Sequence, residues 1–251
     1  MDIINKIVNS RIILKDILSD EWNTDEIPIL STNEVKQLYV NDTVKNNILN
    51  ILGVAGKCSF SVTNKLVDSH KLHVLYYNFP DDGINSSRLT KSILNKVNSL
   101  YEKHINYTDN ILIIINEGIT ESTIKISDLI NISKQSMLND HADDFHSMID
   151  TFKKKSISLQ SRHFGNVYLL PLNSITVNLF ENDYVPKHNT IRDGDDISQI
   201  LEQCNCRLQQ LPIINRYDIM SILKMLTPGD ICEISRKSKK SGTFPYYRVC
   251  R

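Results

Sequence analysis

The chain has 251 residues, and its 29 lysines and arginines are balanced by 29 aspartates and glutamates. A formal charge of zero excludes a general attraction to polyanions. A protein that binds nucleic acid without the help of a partner is usually basic. The longest apolar run, Ile111–Ile115, is far shorter than the ~20 residues of a membrane span. The N-terminus has no unbroken apolar core of the kind found in secretory signals. We therefore expect a soluble intracellular protein of one large domain or two modest ones.

The first half of the chain predicts an α/β domain that begins with helices. Apolar residues recur there at helical spacing, and Ser31 and Glu34 have the spacing of a capping box. The predicted elements, in order, are a helix to about Ser19, a helix after Ser31, a third helix over 44–52, strands at Cys58–Val62 and Leu72–Tyr77, a helix at about Ser87–Lys103 and a buried strand at Ile111–Ile115. A strand, a long crossover helix and another strand predict a parallel strand pair.

The second half predicts further strands and helices that end in a β-hairpin. The predicted elements are strands at Val167–Leu170 and Ile175–Leu179, a helix from Asp193 with Ile197, Ile200, Leu201 and Cys204 facing inward, and a short helix at about Asp218–Leu226. After Pro228 and Gly229, an apolar run from Ile231 and an aromatic run from Phe244 flank a polar connection. This pattern is typical of two antiparallel strands.

The side chains that bind metals show no standard spacing. Five cysteines are an odd number, and Cys204 and Cys206 are too close together for the usual zinc knuckle. The histidines at 141, 146 and 163 have aspartates nearby, but a separation of five residues does not place two histidines on one helix face. We expect thiols in a reducing compartment, and neither a metal nor another cofactor.

Three motifs near the C-terminus have a specific order and spacing. They are Val185-Pro186-Lys187-His188, then Leu211-Pro212-Ile213-Ile214, then Gly229-Asp230-Ile231 with Arg236, Ser238, Gly242 and Tyr247-Arg248-Val249. Together they resemble the fifth common subunit of eukaryotic nuclear RNA polymerases and its archaeal counterpart. The resemblance implies a jaw domain at 1–180 with a restriction-endonuclease-like architecture, and a small mixed assembly domain at 181–251. The segment 132–165 has no counterpart in that pattern, so we interpret it as an insertion.

The resemblance also implies a set of contact residues. The candidates for contact with the largest polymerase subunit are Pro186, His188, Leu211, Pro212, Gly229, Asp230, Arg236, Gly242, Tyr247 and Arg248. Tyr247 and Arg248 are the preferred anchors, because buried tyrosine and arginine commonly dominate interfaces, although Tyr247 has an alternative role in the core of its own domain. Gly118, Thr120 and Ser122 resemble a loop that lies near downstream duplex DNA in the family.

The chain departs from the family pattern after Asp218, where the usual proline, arginine and tyrosine are missing. This divergence fits either a nuclear polymerase or the polymerase of a large DNA virus that is active in the cytoplasm and packaged in the virion. Two other functions remain open. One is a free-standing nucleic-acid-binding adaptor, because Ser235–Arg251 contains no acidic residue. The other is a metal-dependent nuclease using Asp81 and Asp82, but no acidic-x-lysine triplet follows on the next strand.

The non-catalytic subunit is the function that the motifs favour. It would need no small-molecule ligand and no membrane, and its partners would be the other polymerase subunits and the DNA that they hold.

Overall fold

The computed structural model describes residues 2–39, 52–80, 88–238, 240 and 242–251. The chain divides into two compact units. The first consists of Met1–Met148 and Phe164–Val177, and the second of Ile149–His163 and Asn178–Arg251. Each unit combines helices with a four-stranded sheet, which confirms the predicted α/β class. Within the described ranges, no helix is long and apolar enough to cross a membrane.

The first unit is built on a mixed sheet whose strands follow one another in chain order. They are β1 (Phe60–Thr63), β2 (Lys71–Tyr77), β3 (Asn110–Ile115) and β4 (Val167–Pro171). β1 runs antiparallel to β2, whereas β2, β3 and β4 are parallel. The parallel pairing of β2 with β3 confirms the crossover predicted from the sequence. Every residue of β3 is buried, as its unbroken apolar run predicted.

Helices precede the sheet and connect its strands. They are α1 (Ile3–Ile17), α2 (Thr32–Leu38), α3 (Ile93–Lys103), α4 (Glu121–Asp140) and α5 (Ala142–Lys153). Ser31 and Glu34 form the predicted capping box, in which each side chain accepts a hydrogen bond from the backbone N–H of the other. The third predicted helix, at 44–52, lies almost wholly outside the described residues.

The core of the first unit lies between α3 and the sheet. Val97 and Leu100 on α3 are buried in one cluster with Leu75, Ile113 and Leu169 from three successive strands. The helix presents apolar residues at intervals of three and four positions, so they form one stripe against the sheet. This packing holds the carboxyl ends of β2 and β3 in place, and the loop that leads into α4 begins there.

Three predicted elements of the first unit differ from the structure. Ile175–Leu179 is wrong as a strand, because the 3₁₀ turns Leu172–Ile175 and Leu179–Glu181 include its two ends and residues 176–178 form bends and irregular chain. The sheet ends at β4, so this segment has no strand to pair with. The strand predicted from Cys58 begins at Phe60, after a 3₁₀ turn, and α3 begins at Ile93 rather than near residue 87.

The second unit is built on a sheet around the C-terminal hairpin. Its elements are β5 (His188–Ile191), α6 (Gly194–Gln203), β6 (Ile213–Ile214), α7 (Ile219–Leu223), β7 (Ile231–Ser238) and β8 (Gly242–Cys250). The strand order is β5-β7-β8-β6, and β7 pairs antiparallel with both β5 and β8. The predicted hairpin is therefore confirmed. Cys204 lies just beyond α6 and is exposed, so the prediction that it faces inward was wrong.

We expect Ile113→Ala to lower the free energy of unfolding of the first unit by about 3 kcal/mol, because it opens a cavity in the central strand. Ile113 is 2% exposed, whereas Ile29 is 72% exposed. Ile29→Ala is thus a control that removes the same atoms from the surface. Urea unfolding followed by the fluorescence of Trp22, the only tryptophan of the chain and buried in this unit, checks the prediction. Equal effects of the two substitutions would contradict it.

Candidate protein–protein interface

The hairpin of β7 and β8 carries four of the ten predicted contact residues, Arg236, Gly242, Tyr247 and Arg248. The two strands pair over eight positions. Because side chains alternate across a strand, Arg236, Phe244, Tyr246 and Arg248 lie on one face of the hairpin, and Tyr247 lies on the other. The strand ends far from the turn are buried, whereas residues 242–245 are exposed. The half of the hairpin nearest the turn is therefore its accessible part.

Arg236, Phe244, Tyr246 and Arg248 form what we call the arginine–tyrosine face. The guanidinium carbon of Arg236 lies 4.0 Å from the ring centroid of Tyr246, and that of Arg248 lies 5.5 Å from it. These distances are in the range of cation–π attraction. The ring therefore holds two cations on one surface, and Phe244 is an exposed aromatic beside them.

Tyr247 has a partly structural role. Its side chain is half-buried against a cluster that includes Ile200, Leu211, Ile231 and Val249. Burial raises the pKa of its hydroxyl, and the charge of Glu233 raises it further. The alternative that Tyr247 packs within its own domain is thus supported by its contacts, and the exposed remainder of the ring is what a partner would meet.

Two of the predicted residues are glycines in the left-handed region. Gly242 begins β8 with a φ of +71°, and nothing lies within 4 Å of the position of a Cβ atom there. Gly229 has a φ of +97°, and a Cβ atom would collide with the side chain of Arg162. Both glycines are therefore favoured by their backbone conformation, and a Cβ atom at Gly229 would in addition displace the guanidinium end of Arg162.

Asp230 is the centre of a buried ion cluster. Its side chain is fully buried, and one carboxylate oxygen accepts hydrogen bonds from the Thr227 N–H and hydroxyl at 2.9 and 3.0 Å. The other oxygen lies 2.9 Å from Nε2 of His163 and 3.3 Å from Nη2 of Arg162. Nε of Arg192 lies 3.6 Å from the oxygen that accepts from Thr227. Asp230 therefore faces the interior of the unit, and its predicted role in partner binding would be indirect.

The cluster keeps this carboxyl ionised. Burial alone would raise its pKa, but the hydrogen bond and charge of His163, the charge of Arg192 and the N–H of Thr227 outweigh burial and hold the pKa of Asp230 below its usual value. Arg162 and Arg192 also donate to backbone carbonyls, those of Pro228 and of residues 224 and 225 respectively. The carboxylate consequently ties together four stretches of chain around the start of β7.

The remaining predicted residues divide between interior and surface. His188 is buried on β5, where burial lowers its pKa, and its Nδ1 lies 2.6 Å from the carbonyl oxygen of Pro186. Leu211 is buried in the core. Pro212 is exposed and accepts a hydrogen bond from the Val249 N–H at 2.9 Å. These residues shape the unit, and Pro212 alone of them presents an exposed side chain.

Sequence reasoning missed two groups of residues. Arg162 and His163 lie at the end of the segment interpreted as an insertion, yet they are partners of Asp230. No local pattern shows a contact between residues 67 positions apart. Phe244 and Tyr246 were recognised as aromatic strand residues of the hairpin but were not named among the contact candidates. The alternation that places them beside Arg236 and Arg248 was a signal that would have found them.

The predicted DNA-proximal loop is exposed at the start of α4. Gly118, Thr120 and Ser122 are all exposed. Thr120 and Thr123 exchange hydrogen bonds across the first turn of the helix, and this exchange caps the helix. The carboxylate of Glu117 accepts a hydrogen bond from the Leu89 N–H at 2.7 Å. Glu117 is thus engaged in the unit's own structure, beside a loop whose surface is polar.

The described part of the chain contains no group of three His, Cys, Asp or Glu side chains arranged to hold a metal ion. His141 stacks on Tyr107 at 3.6 Å, and His163 bonds Asp230, so these two histidines serve separate contacts. Asp81 and Asp82 of the nuclease hypothesis lie outside the described residues.

Comparison with known proteins identifies the family. The model for the RNA polymerase Rpb5 C-terminal domain matches residues 177–250. DNA-directed RNA polymerase subunit Rpo5 of Thermococcus kodakarensis is 33% identical over 72 residues, which are 29% of this chain and 87% of that protein. Rpo5 of Methanococcus maripaludis is 37% identical over 68 residues, 27% of this chain and 86% of that protein. Rpo5 of Aeropyrum pernix is 36% identical over 70 residues, 28% of this chain and 77% of that protein.

The chain belongs to the Rpb5 and Rpo5 family of DNA-directed RNA polymerase subunits. This confirms the resemblance drawn from the three C-terminal motifs. The family match lies within the second unit, apart from its first residue, and contains β5 to β8 with both of their helices. The segment that carries Arg162 and His163 lies outside the match, so in this chain a segment beyond the family domain contributes to the ion cluster of that unit.

We expect Asp230→Asn to lower the free energy of unfolding of the second unit by about 3 kcal/mol, because the substitution leaves two arginines facing a neutral amide. The folded pKa of Asp230 lies below its unfolded value of ~4. The stability that it contributes is therefore complete above pH ~4 and is lost as the pH falls through the folded pKa. The variant should accordingly show a flatter dependence of stability on acid pH.

Hydrogen exchange of the β7 and β8 amides at pH values from 3 to 7 measures this stability. Glu202→Gln is the control, since Glu202 is an exposed carboxylate of the same unit. If the wild type and the Asp230 variant lost protection in parallel on acidification, the ion cluster would not have the role assigned to it.

Proposed function

We propose that this chain is a non-catalytic subunit of a multisubunit DNA-directed RNA polymerase, and that its second unit docks on the largest subunit. Family membership supports the first part of the proposal. The second part is supported by the hairpin, because the family motif there includes Arg236, Gly242 and Arg248, whose side chains or backbone are accessible at the surface. Arg236 is exposed and Arg248 is half-buried. A buried structural motif would need no exposed arginine, whereas a docking surface would use one.

The interior motif residues support the same proposal indirectly. Asp230, His188 and Leu211 hold β5, β7 and β8 together, and these strands present the arginine–tyrosine face. A surface that must match a partner needs a rigid support. The motif therefore combines residues that contact the partner with residues that fix the hairpin.

The first unit would form part of the jaw near downstream DNA. Its loop at Gly118, Thr120 and Ser122 is exposed and polar, and it begins a helix whose N–H groups suit a phosphate backbone. Glu121 pairs with Lys125 at 2.6 Å, which offsets one of the acidic charges near the loop. A weak contact of this kind would suffice in an assembled enzyme whose other subunits also bind the DNA.

We expect a tagged full-length chain, purified from its native source, to carry the other polymerase subunits with it. Arg248→Ala should reduce the recovered amount of the largest subunit about tenfold, because an interface arginine commonly contributes more than 1 kcal/mol. Lys237→Ala removes a cation from the same hairpin but from its opposite face, and it should have little effect. Quantitative mass spectrometry of the bound chains gives the measurement.

The same preparation tests the adaptor alternative. If the wild-type chain carried no polymerase subunit, and if the isolated chain bound duplex DNA tightly with a steep dependence on salt, the adaptor would replace the polymerase subunit as the function.

We also expect a photo-crosslinking residue at position 122 to label downstream duplex DNA in the assembled enzyme. The control is the same residue at position 136, because Ser122 and Ser136 are both exposed serines of α4. They are separated by 14 residues, or about 21 Å of helix. Equal labelling from both positions, or from neither, would contradict a DNA contact at this loop.

A further inference from the structure

The two arginines of the arginine–tyrosine face have no acidic partner in the described part of the chain. No described carboxylate lies within ion-pair distance of Arg236 or Arg248. Nε of Arg248 is buried without a hydrogen-bond partner, and its Nη1 reaches the carbonyl oxygen of Ile213 only at 3.5 Å. Glu233, the acidic residue of β7, is on the opposite face and bonds Asn189. The hairpin thus presents guanidinium donors that its own residues leave largely unused.

The ring of Tyr246 orients these donors. Contact with the ring limits the rotamers of two otherwise flexible side chains, so less conformational entropy is lost when they bind. A planar guanidinium that is held in this way presents its N–H groups along one edge, which suits two oxygens of a carboxylate. Two like charges near one ring also repel each other, and an incoming anion would relieve that repulsion.

We infer that the arginine–tyrosine face binds an acidic segment of a protein partner, with carboxylates bridging Arg236 and Arg248 and an apolar side chain against Phe244. This inference rests on the proposed function and adds the chemistry of the partner surface to it. The hairpin favours a protein over single-stranded nucleic acid for a specific reason. Arg236 lies over the ring of Tyr246 at 4.0 Å, so of the two aromatic rings of this face only that of Phe244 is open to stacking by a nucleobase.

The first experiment measures how the docked chain responds to salt. The tagged chain, with its bound polymerase subunits, is washed at increasing NaCl, and the concentration that releases half of the partner is determined. We expect Arg236→Gln and Arg248→Gln each to lower this concentration at least twofold, and Lys237→Gln, on the opposite face, to leave it unchanged. Arg236→Lys keeps the charge but loses the planar group, so its release concentration should lie between those of the wild type and Arg236→Gln. Arg236 is exposed, so neither of its substitutions endangers the fold.

The second experiment identifies the class of ligand. The full-length chain is titrated by fluorescence anisotropy with a labelled peptide of ten glutamates interspersed with phenylalanine, and with an oligothymidylate of equal charge. We expect the peptide to bind more tightly, and Tyr246→Leu and Arg236→Gln to weaken that binding about tenfold. Tighter binding of the oligothymidylate, lost in the same variants, would assign the face to nucleic acid and overturn the inference.

The outcomes separate the inference from the function on which it rests. The wild type could carry polymerase subunits while Arg236→Gln and Arg248→Gln release them at the same salt concentration as Lys237→Gln. In that case the proposed function stands and the acidic docking segment is rejected. If the wild type carries no polymerase subunit, the proposed function itself fails.

Discussion

The buried carboxylate of Asp230 is the interaction on which the second unit depends. An ionised carboxylate is costly to bury unless hydrogen bonds and opposite charges compensate for lost water. Here His163, Arg162, Arg192 and Thr227 provide that compensation from separate stretches of chain. The backbone of Asp230 also accepts the N–H of Cys250 at the end of β8. The carboxylate thus fixes the point from which the two hairpin strands are paired, and the pairing sets which side chains share a face.

The neutral charge of the whole chain conceals an uneven distribution. The carboxylate of Asp230 lies inside the second unit, where Arg162 and Arg192 pair with it. The last 17 residues of the chain carry cations and no acidic side chain. Cations in the interior cluster are already paired and add little to an external field. Those of the arginine–tyrosine face are near the surface and lack an acidic partner among the described residues. A neutral chain can therefore have a docking face of one sign, and net charge alone is a poor guide to such a surface.

Local sequence patterns predicted those parts of the fold that depend on local physics. The capping box at Ser31 depends on four consecutive residues, and the buried strand β3 on one apolar run, so both were recognisable. The prediction of a strand at Ile175–Leu179 failed because a short apolar run forms a strand only if a neighbouring strand is present to pair with it. The partners of Asp230 could not be predicted either, since the contact with His163 joins residues far apart in sequence. The sequence thus named the contact candidates as a set, while their division into interior and surface needed the structure.

The structure also explains how the unit tolerates the residues that replace the family motif after Asp218. The carboxylate of Asp218 accepts a hydrogen bond from the Met220 N–H at 2.8 Å and so caps α7. Ile222 and Leu223 occupy the positions of the arginine and tyrosine in the family pattern, and both are buried. An apolar pair on a capped helix preserves the burial that supports the sheet. If the hairpin docks on a partner as we propose, Arg236 and Arg248 would supply charged contacts that the apolar pair at 222 and 223 does not offer.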